Sequence, residues 1–244
     1  MQRLAFWGAV FMILLPGLAL ADGEKPWKGT GEVGLLMTSG NSETESVNGK
    51  AGVKYENDRL LGEMNLAALY SSEETEIDGE KEKQTSAEKY NAGAKAGYKF
   101  TPADYVFINA NYEDDRFSGY DYRTDYAIGY GRKIIDTEKT RLNLEVGPGY
   151  RYDKRDDGGI ENEAVFRGHA MFSCQLSEGA AFQQDLTVLA GSDNTNTRSV
   201  TAVKAKITGA LSMKASYTVD HDTHVPADKD KTDTETALTL VYDF

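Results

Sequence analysis

The sequence predicts an all-β chain: a single antiparallel transmembrane β-barrel of about twelve strands, with short periplasmic turns and longer outer loops. Three observations predict it. Apolar and polar residues alternate at period two through most of the chain, so each segment has one greasy and one polar side. The segments are close to the ~9–11 residues that cross a bilayer when tilted. The links between them are short and long in turn, an asymmetry of outer-membrane barrels, in which an even strand count leaves both termini on the periplasmic side.

Taken in order, the chain begins with "MQRLAFWGAVFMILLPGLALA": a positive charge at Arg3, an apolar run and small residues at Ala19 and Ala21. This is the pattern of a secretory signal peptide over residues 1–21, cut between Ala21 and Asp22. Pro16 and Gly17 and the polar segment that follows argue against a membrane anchor. Residues 22–244 then form one domain, the barrel, with no shift in composition to mark a second.

The strands are expected at 28–38, 45–56, 59–71, 87–100, 104–114, 119–132, 140–153, 161–176, 179–191, 197–208, 210–221 and 233–244. The first and tenth alternate most weakly. In the fourth, Tyr90, Ala92, Ala94, Ala96 and Tyr98 oppose Lys89, Asn91, Gly93, Lys95 and Gly97. In the sixth, Tyr120, Tyr122, Tyr126, Ile128 and Tyr130 oppose Asp121, Arg123, Asp125, Gly129 and Gly131. The seventh sets Leu142, Leu144, Val146 and Tyr150 against Arg141, Asn143, Glu145 and Arg151. The links "ND", "TPA", "IIDTEKT", "SEG" and "TGA" are short, whereas "TSGNSETE", "SSEETEIDGEKEKQTSAE", "DDRFSGYD", "DKRDDGGIE", "GSDNTNTRS" and "HDTHVPADKDKT" are longer and polar.

A soluble β-sandwich also alternates, but it needs no long–short rhythm and would bury Leu, Ile and Val. This chain instead carries 14 Tyr and 9 Phe, often near strand ends, as in the aromatic belts of a bilayer's two interfaces. The ending "TETALTLVYDF" places Leu238, Leu240, Tyr242 and Phe244 on one face. A barrel has no free edge, so this strand must pair with the first. The same residues resemble the C-terminal signal by which the barrel assembly machinery recognises outer-membrane proteins through an added strand.

Composition removes several function classes. The balance of 27 basic against 39 acidic residues excludes a nucleic-acid partner, which requires clustered Lys and Arg. Cys174 is the only cysteine, so no internal disulfide forms, and "HAMFSCQL" reads as a wall position rather than a catalytic thiol. The acidic link with Glu73, Glu74, Glu76, Asp78, Glu80, Glu82 and Glu88 lacks the spacing of a calcium loop and is expected to be a solvated loop near lipopolysaccharide. No metal or cofactor pattern appears.

If the greasy faces point outward, the lumen receives Asp121, Arg123, Asp125, Arg141, Glu145, Arg151, Glu163, Arg167 and His169. Counting through "DKRDDGGIE" sets Glu145 across from Arg167 and His169, with Arg151 near Glu163. Enclosed charges must pair or be wet, so these residues form either a selectivity lining for a small polar solute or a self-satisfying plug. Inward glycines such as Gly129, Gly131, Gly147 and Gly149 suit curvature or make room for large opposing side chains.

"WKGTGEVGLLMTSGNSETES" at residues 27–46, with "YGRKI", "LEVGPGYRYD" and the final "LVYDF", resembles the YdiY-like family of salt-induced outer-membrane proteins, a domain of unknown function. The resemblance covers nearly all of the chain after the signal. It implies an outer-membrane barrel of unassigned activity in a Gram-negative envelope, with a link to salt or osmotic conditions, and it brings no catalytic residues. The function expected is therefore a structural or small-solute pore protein among outer-membrane lipid and lipopolysaccharide, not an enzyme. The alternative is an outer-membrane hydrolase, omptin-like or lipid-modifying. It would draw on "DHDTH" at residues 220–224 with Glu113–Asp115, or on His169 with Ser173.

Overall fold

The computed structural model describes residues 26–38, 44–77, 80–226 and 229–244, with the backbone alone at 35–38, 44–45, 74–77 and 80–82. The signal segment and most of "TSGNSET" lie outside the described residues. Twelve strands follow one another: β1 (Trp27–Thr38), β2 (Thr44–Glu56), β3 (Leu60–Ile77), β4 (Glu80–Lys99), β5 (Asp104–Asp115), β6 (Tyr120–Asp136), β7 (Thr140–Arg155), β8 (Ile160–Ser177), β9 (Ala180–Ala190), β10 (Thr195–Thr208), β11 (Leu211–Asp222) and β12 (Thr232–Asp243). Each pairs antiparallel with its sequence neighbours, and β12 pairs with β1, so the sheet closes on itself. At the seam, the Gly29 N–H donates to the Phe244 carbonyl at 2.8 Å and the Phe244 N–H returns the bond at 2.9 Å.

The alternation resolves into an outer and an inner surface. Leu66, Ile108, Ile128, Phe166, Leu238 and Phe244 are exposed, while Ala237, Thr239, Val241 and Glu145 are buried. A soluble protein would do the reverse with its large apolar side chains. Aromatic rings gather at two levels. Near the short turns Trp27 packs on Tyr55, Phe100 on Tyr130, Phe172 on Phe182 and Tyr242 on Phe244. Near the outer loops Tyr112, Tyr122 and Tyr152 stack in a row. Eight residues separate Tyr122 from Tyr130. That is about 27 Å along a strand and roughly 20 Å along the axis at a tilt near 40°, close to the ~25 Å apolar band of an outer-membrane barrel.

Two differences from the sequence reading have local causes. The acidic link at 72–88 is largely ladder rather than loop: β3 and β4 continue past the outer girdle, with Glu73 opposite Gln84 and Ile77 opposite Glu80 in the register. Alternation of apolarity ends there because the extension leaves the bilayer, while the backbone pairing does not end. In β6, the register shifts between Tyr120 and Tyr122. This bulge turns Tyr120 inward, where it is buried, and sends Asp121 outward to pair with Lys154 at 3.1 Å. Asp121 therefore does not face the lumen.

The fold generates a counterintuitive mutational signature. Leu66 is 60 % exposed and lies between the two girdles, so Leu66→Arg should destabilise the vesicle-embedded barrel by about 2–4 kcal/mol, measured by reversible denaturant unfolding. A change within ~0.5 kcal/mol, as expected of an exposed position in water, would refute a hydrocarbon-facing surface.

Candidate functional site

The inner surfaces of β4 to β9 carry a network centred on Glu145, which is 2 % exposed. Four groups donate to its carboxylate: Lys95 Nζ at 2.8 Å, Tyr105 OH at 2.9 Å, Arg167 Nη1 at 2.9 Å and a His169 ring nitrogen, Nδ1, at 3.1 Å. The other His169 nitrogen, Nε2, meets Asp185 Oδ2 at 2.9 Å. Lys95 also stands 3.5 Å from Glu63. The guanidinium of Arg167 lies over the Phe107 ring, 5.5 Å from its centroid.

Local sequence explains how so many groups reach one carboxylate. β7 presents Glu145 with Gly147 next to it on the inner face, and β6 presents Gly131 opposite it with Gly129 alongside. A Cβ at Gly129 would meet the Phe107 ring at 2.7 Å, and the Tyr105 ring fills the space that a Cβ at Gly131 would need. The inward glycines thus make room for two large rings, one of which delivers its hydroxyl to Glu145.

A second tier lies toward the outer loops. The carboxylate of Asp153 receives Arg151 Nε and Arg123 Nε, each at 3.3 Å. Arg123 continues to Asp222 through Nη1 at 3.0 Å and Nη2 at 3.2 Å. Asn194 Nδ2 donates to Asp222 at 2.7 Å, and Arg151 Nη2 donates to the Asn194 carbonyl at 3.3 Å. Arg151 also binds Glu163, which accepts from Ser192 Oγ at 3.3 Å and from the Asp193 N–H at 3.0 Å. A third group holds Glu113 between Lys89 at 3.0 Å and Asn91 at 2.8 Å. Nearby, Arg198 binds Asp220 at 2.7 Å and approaches Glu113 at 3.8 Å.

The residues read from the sequence are placed as follows. Arg123, Arg151 and Glu163 are in the outer tier, and Glu145, Arg167 and His169 are in the inner one. Asp125 accepts two contacts from Asn111, at 3.0 and 3.1 Å. Arg141 stands apart, exposed at the turn end of β7 and 3.6 Å from Asp136. The register sets Glu145 opposite His169 and Arg151 opposite Glu163. Sequence reasoning missed Tyr105, Asp153, Asp185 and Asn194, and it read Asp222 only as part of the acid–His segment rather than as a partner of Arg123. Alternation within β7 and β9 was the available signal for Asp153 and Asp185. Nothing in the sequence announces Asn194.

A cavity of about 1160 Å³ runs between these walls. Its lining extends from Lys28, Asp243 and Phe244 at the turn end to Phe117, Lys229 and Asp230 at the loop end. The acid–His segment of residues 220–224 is committed elsewhere: Asp220 to Arg198, Asp222 to Arg123 and Asn194, and His221 Nδ1 to Thr232 at 2.8 Å. His169 is held by Glu145 and Asp185 rather than by Ser173.

A family model described as "Protein of unknown function, DUF481" matches residues 31–244, and the chain belongs to that family. It is similar to "Uncharacterized protein YdiY" of Escherichia coli (strain K12), 28% identical over 223 residues, 91% of this chain and 85% of that protein. Among solved structures it is similar to an outer membrane channel from Pseudomonas putida F1, with TM-score 0.52, 14% identity, and coverage of 94% of this chain and 99% of that one. It also matches the NanC porin, with TM-score 0.51, 9% identity, and coverage of 88% and 98%. These likenesses establish the fold as that of outer-membrane barrels.

Glu145→Ala strands three nitrogen donors and a phenol in the wall, so it should cost about 3–5 kcal/mol of unfolding free energy. Asp121→Ala removes one partner of an exposed pair and should cost no more than about 1 kcal/mol. Denaturant titration in vesicles measures both, and equal costs would contradict the network.

Proposed function

We propose that this DUF481 member is an outer-membrane barrel that passes small polar solutes through a narrow lumen. The carrying observation is a cavity of about 1160 Å³ lined by residues of all twelve strands. A barrel of about eight strands can be filled by side chains and one of sixteen or more leaves a wide channel; twelve strands with one wall thickened by the Glu145 and Asp153 networks leave a restricted path. Paired charges along that path suit polar rather than apolar solutes, because each can exchange its partner for a polar group in transit.

The address follows the same reading. Residues 1–21 are removed on export. Leu238, Leu240, Tyr242 and Phe244, on the outward face of β12, serve the barrel assembly machinery before the seam closes. The exposed band then sits among lipid and lipopolysaccharide. A link to salt or osmotic conditions belongs to this reading through the family resemblance alone. Arg123, Asp125, Glu145, Arg151, Glu163, Arg167 and His169 line or brace the lumen, and Arg141 marks its turn-end rim.

Planar-bilayer recording on refolded residues 22–244 tests the pore. Discrete conductance steps are expected. Glu145→Gln removes a negative charge and frees Lys95 and Arg167 toward the lumen, so the reversal potential in a potassium chloride gradient should move toward that of chloride. An unbroken baseline for wild type and variant alike, with insertion verified, would reject the pore.

A further inference from the structure

The outer tier does more than thicken a wall. β6 and β11 are five strands apart in a ring of twelve, so the two-pronged contact from Arg123 to Asp222 crosses the lumen instead of running along it. Arg198 on β10 and Glu113 on β5 are also five strands apart and approach each other from opposite walls. The Arg123–Asp222 bar is part of a closed ring, Arg151–Asp153–Arg123–Asp222–Asn194 and back to Arg151, in which every link is a hydrogen bond or ion pair of 2.7–3.3 Å. Asn194 and Asp153 in this ring are buried. A ring of this kind narrows the lumen at its own level, over the sector between β6 and β11.

Above it, described residues that follow β11, at 223–226 and at 229, make contacts around the mouth. The Thr223 N–H donates to the Thr195 carbonyl at 3.1 Å, and the His224 N–H to Asn194 Oδ1 at 3.0 Å. Farther on, Lys229 Nζ donates to the Phe117 carbonyl at 2.7 Å, in the turn between β5 and β6 on the far wall. Pro226 rests on that same turn: a Cβ at Gly119 would lie 3.2 Å from Pro226 Cγ. Gly119 has φ +84°, a left-handed conformation that suits glycine.

We propose that Arg123 and Asp222 form a bar that closes the outer mouth at rest, that contacts of Pro226 and Lys229 with the 117–119 turn roof it, and that conduction requires the bar to part. The inference rests on the pore reading. It also specifies chemistry: a solute that opens the bar must offer hydrogen-bond acceptors to Arg123 or donors to Asp222 as they separate, so charged and strongly hydrogen-bonding solutes enter where apolar ones do not. The two states differ in whether Asp222 or the solute and water satisfy Arg123.

The same bilayer assay decides it, read as open probability. Wild type should open rarely. Arg123→Ala and Asp222→Asn should each raise open probability by about tenfold or more, because a part-buried pair broken on one side shifts a two-state balance that far. The exchange Arg123→Asp with Asp222→Arg should return it toward wild type. Because these half-buried changes could disturb folding, the loop variant Pro226→Gly with Lys229→Ala, away from the bar, should independently raise opening and prolong open events. Heat-dependent gel migration confirms folding of each variant. Frequent wild-type opening, unchanged in all variants, would overturn the bar while leaving the pore standing. Silence in wild type and in every folded variant would overturn both.

Discussion

Backbone hydrogen bonding in hydrocarbon is the constraint on which the molecule depends. An unpaired N–H or C=O facing lipid costs several kcal/mol, so a sheet that crosses a bilayer must have no edge. Here the requirement is met by pairing β12 with β1, with Gly29 and Phe244 exchanging both their backbone bonds. Closure in turn fixes the rest. Every second side chain must face lipid and every other one must face the lumen, which is why a chain of net charge -12 can still carry a continuous apolar band. The girdles of Trp27, Tyr55, Phe100 and Tyr130 below, and of Tyr112, Tyr122 and Tyr152 above, set its height.

The lumen then has to solve its own electrostatic problem. A dozen strands enclose more space than a small barrel, yet less than bulk water needs to screen isolated charges. The chain answers by pairing: Glu145 is surrounded by Lys95, Arg167, His169 and the Tyr105 hydroxyl, and Asp153 lies between two arginines. Such arrangements add little net stability over apolar packing. Their value lies in geometry, because each pair fixes the position of long side chains that would otherwise sweep the path. A wall stiffened in this way can border the cavity without filling it.

Much of this was legible in the sequence, for a definite reason. Antiparallel register is arithmetic once the centre of a hairpin is known, so counting through the β7–β8 link sets Glu145 across from Arg167 and His169 and Arg151 near Glu163, and the ladder pairs Glu145 with His169 and Arg151 with Glu163. The same arithmetic failed where a bulge intervened: one extra residue at Tyr120–Tyr122 moved Asp121 to the outer face. It also said nothing of height, so Arg141 was grouped with residues deeper in the lumen although it stands at the rim. Contacts across the barrel were beyond it altogether. Whether Arg123 reaches Asp222, or Lys95 reaches Glu145, depends on circumference and strand stagger, and period-two alternation carries neither. The extended β3–β4 ladder escaped for the opposite reason: its backbone pairing persists where the hydrophobic signal has stopped.

The seam carries a temporal implication. Its register runs only from Thr30 opposite Asp243 to Gly34 opposite Thr239, whereas β1 is matched to β2 along its full length. Its partners come from the two ends of the described chain, the most distant contact the topology contains, and contacts of that kind form slowly because so much chain entropy must be surrendered first. Hairpins from β2 through β11 can therefore zip early, while the cylinder stays a curved open sheet until one brief, glycine-rich junction snaps shut. Until then the growing sheet keeps a long-lived free margin along β1, sealed last where Gly29 meets Phe244.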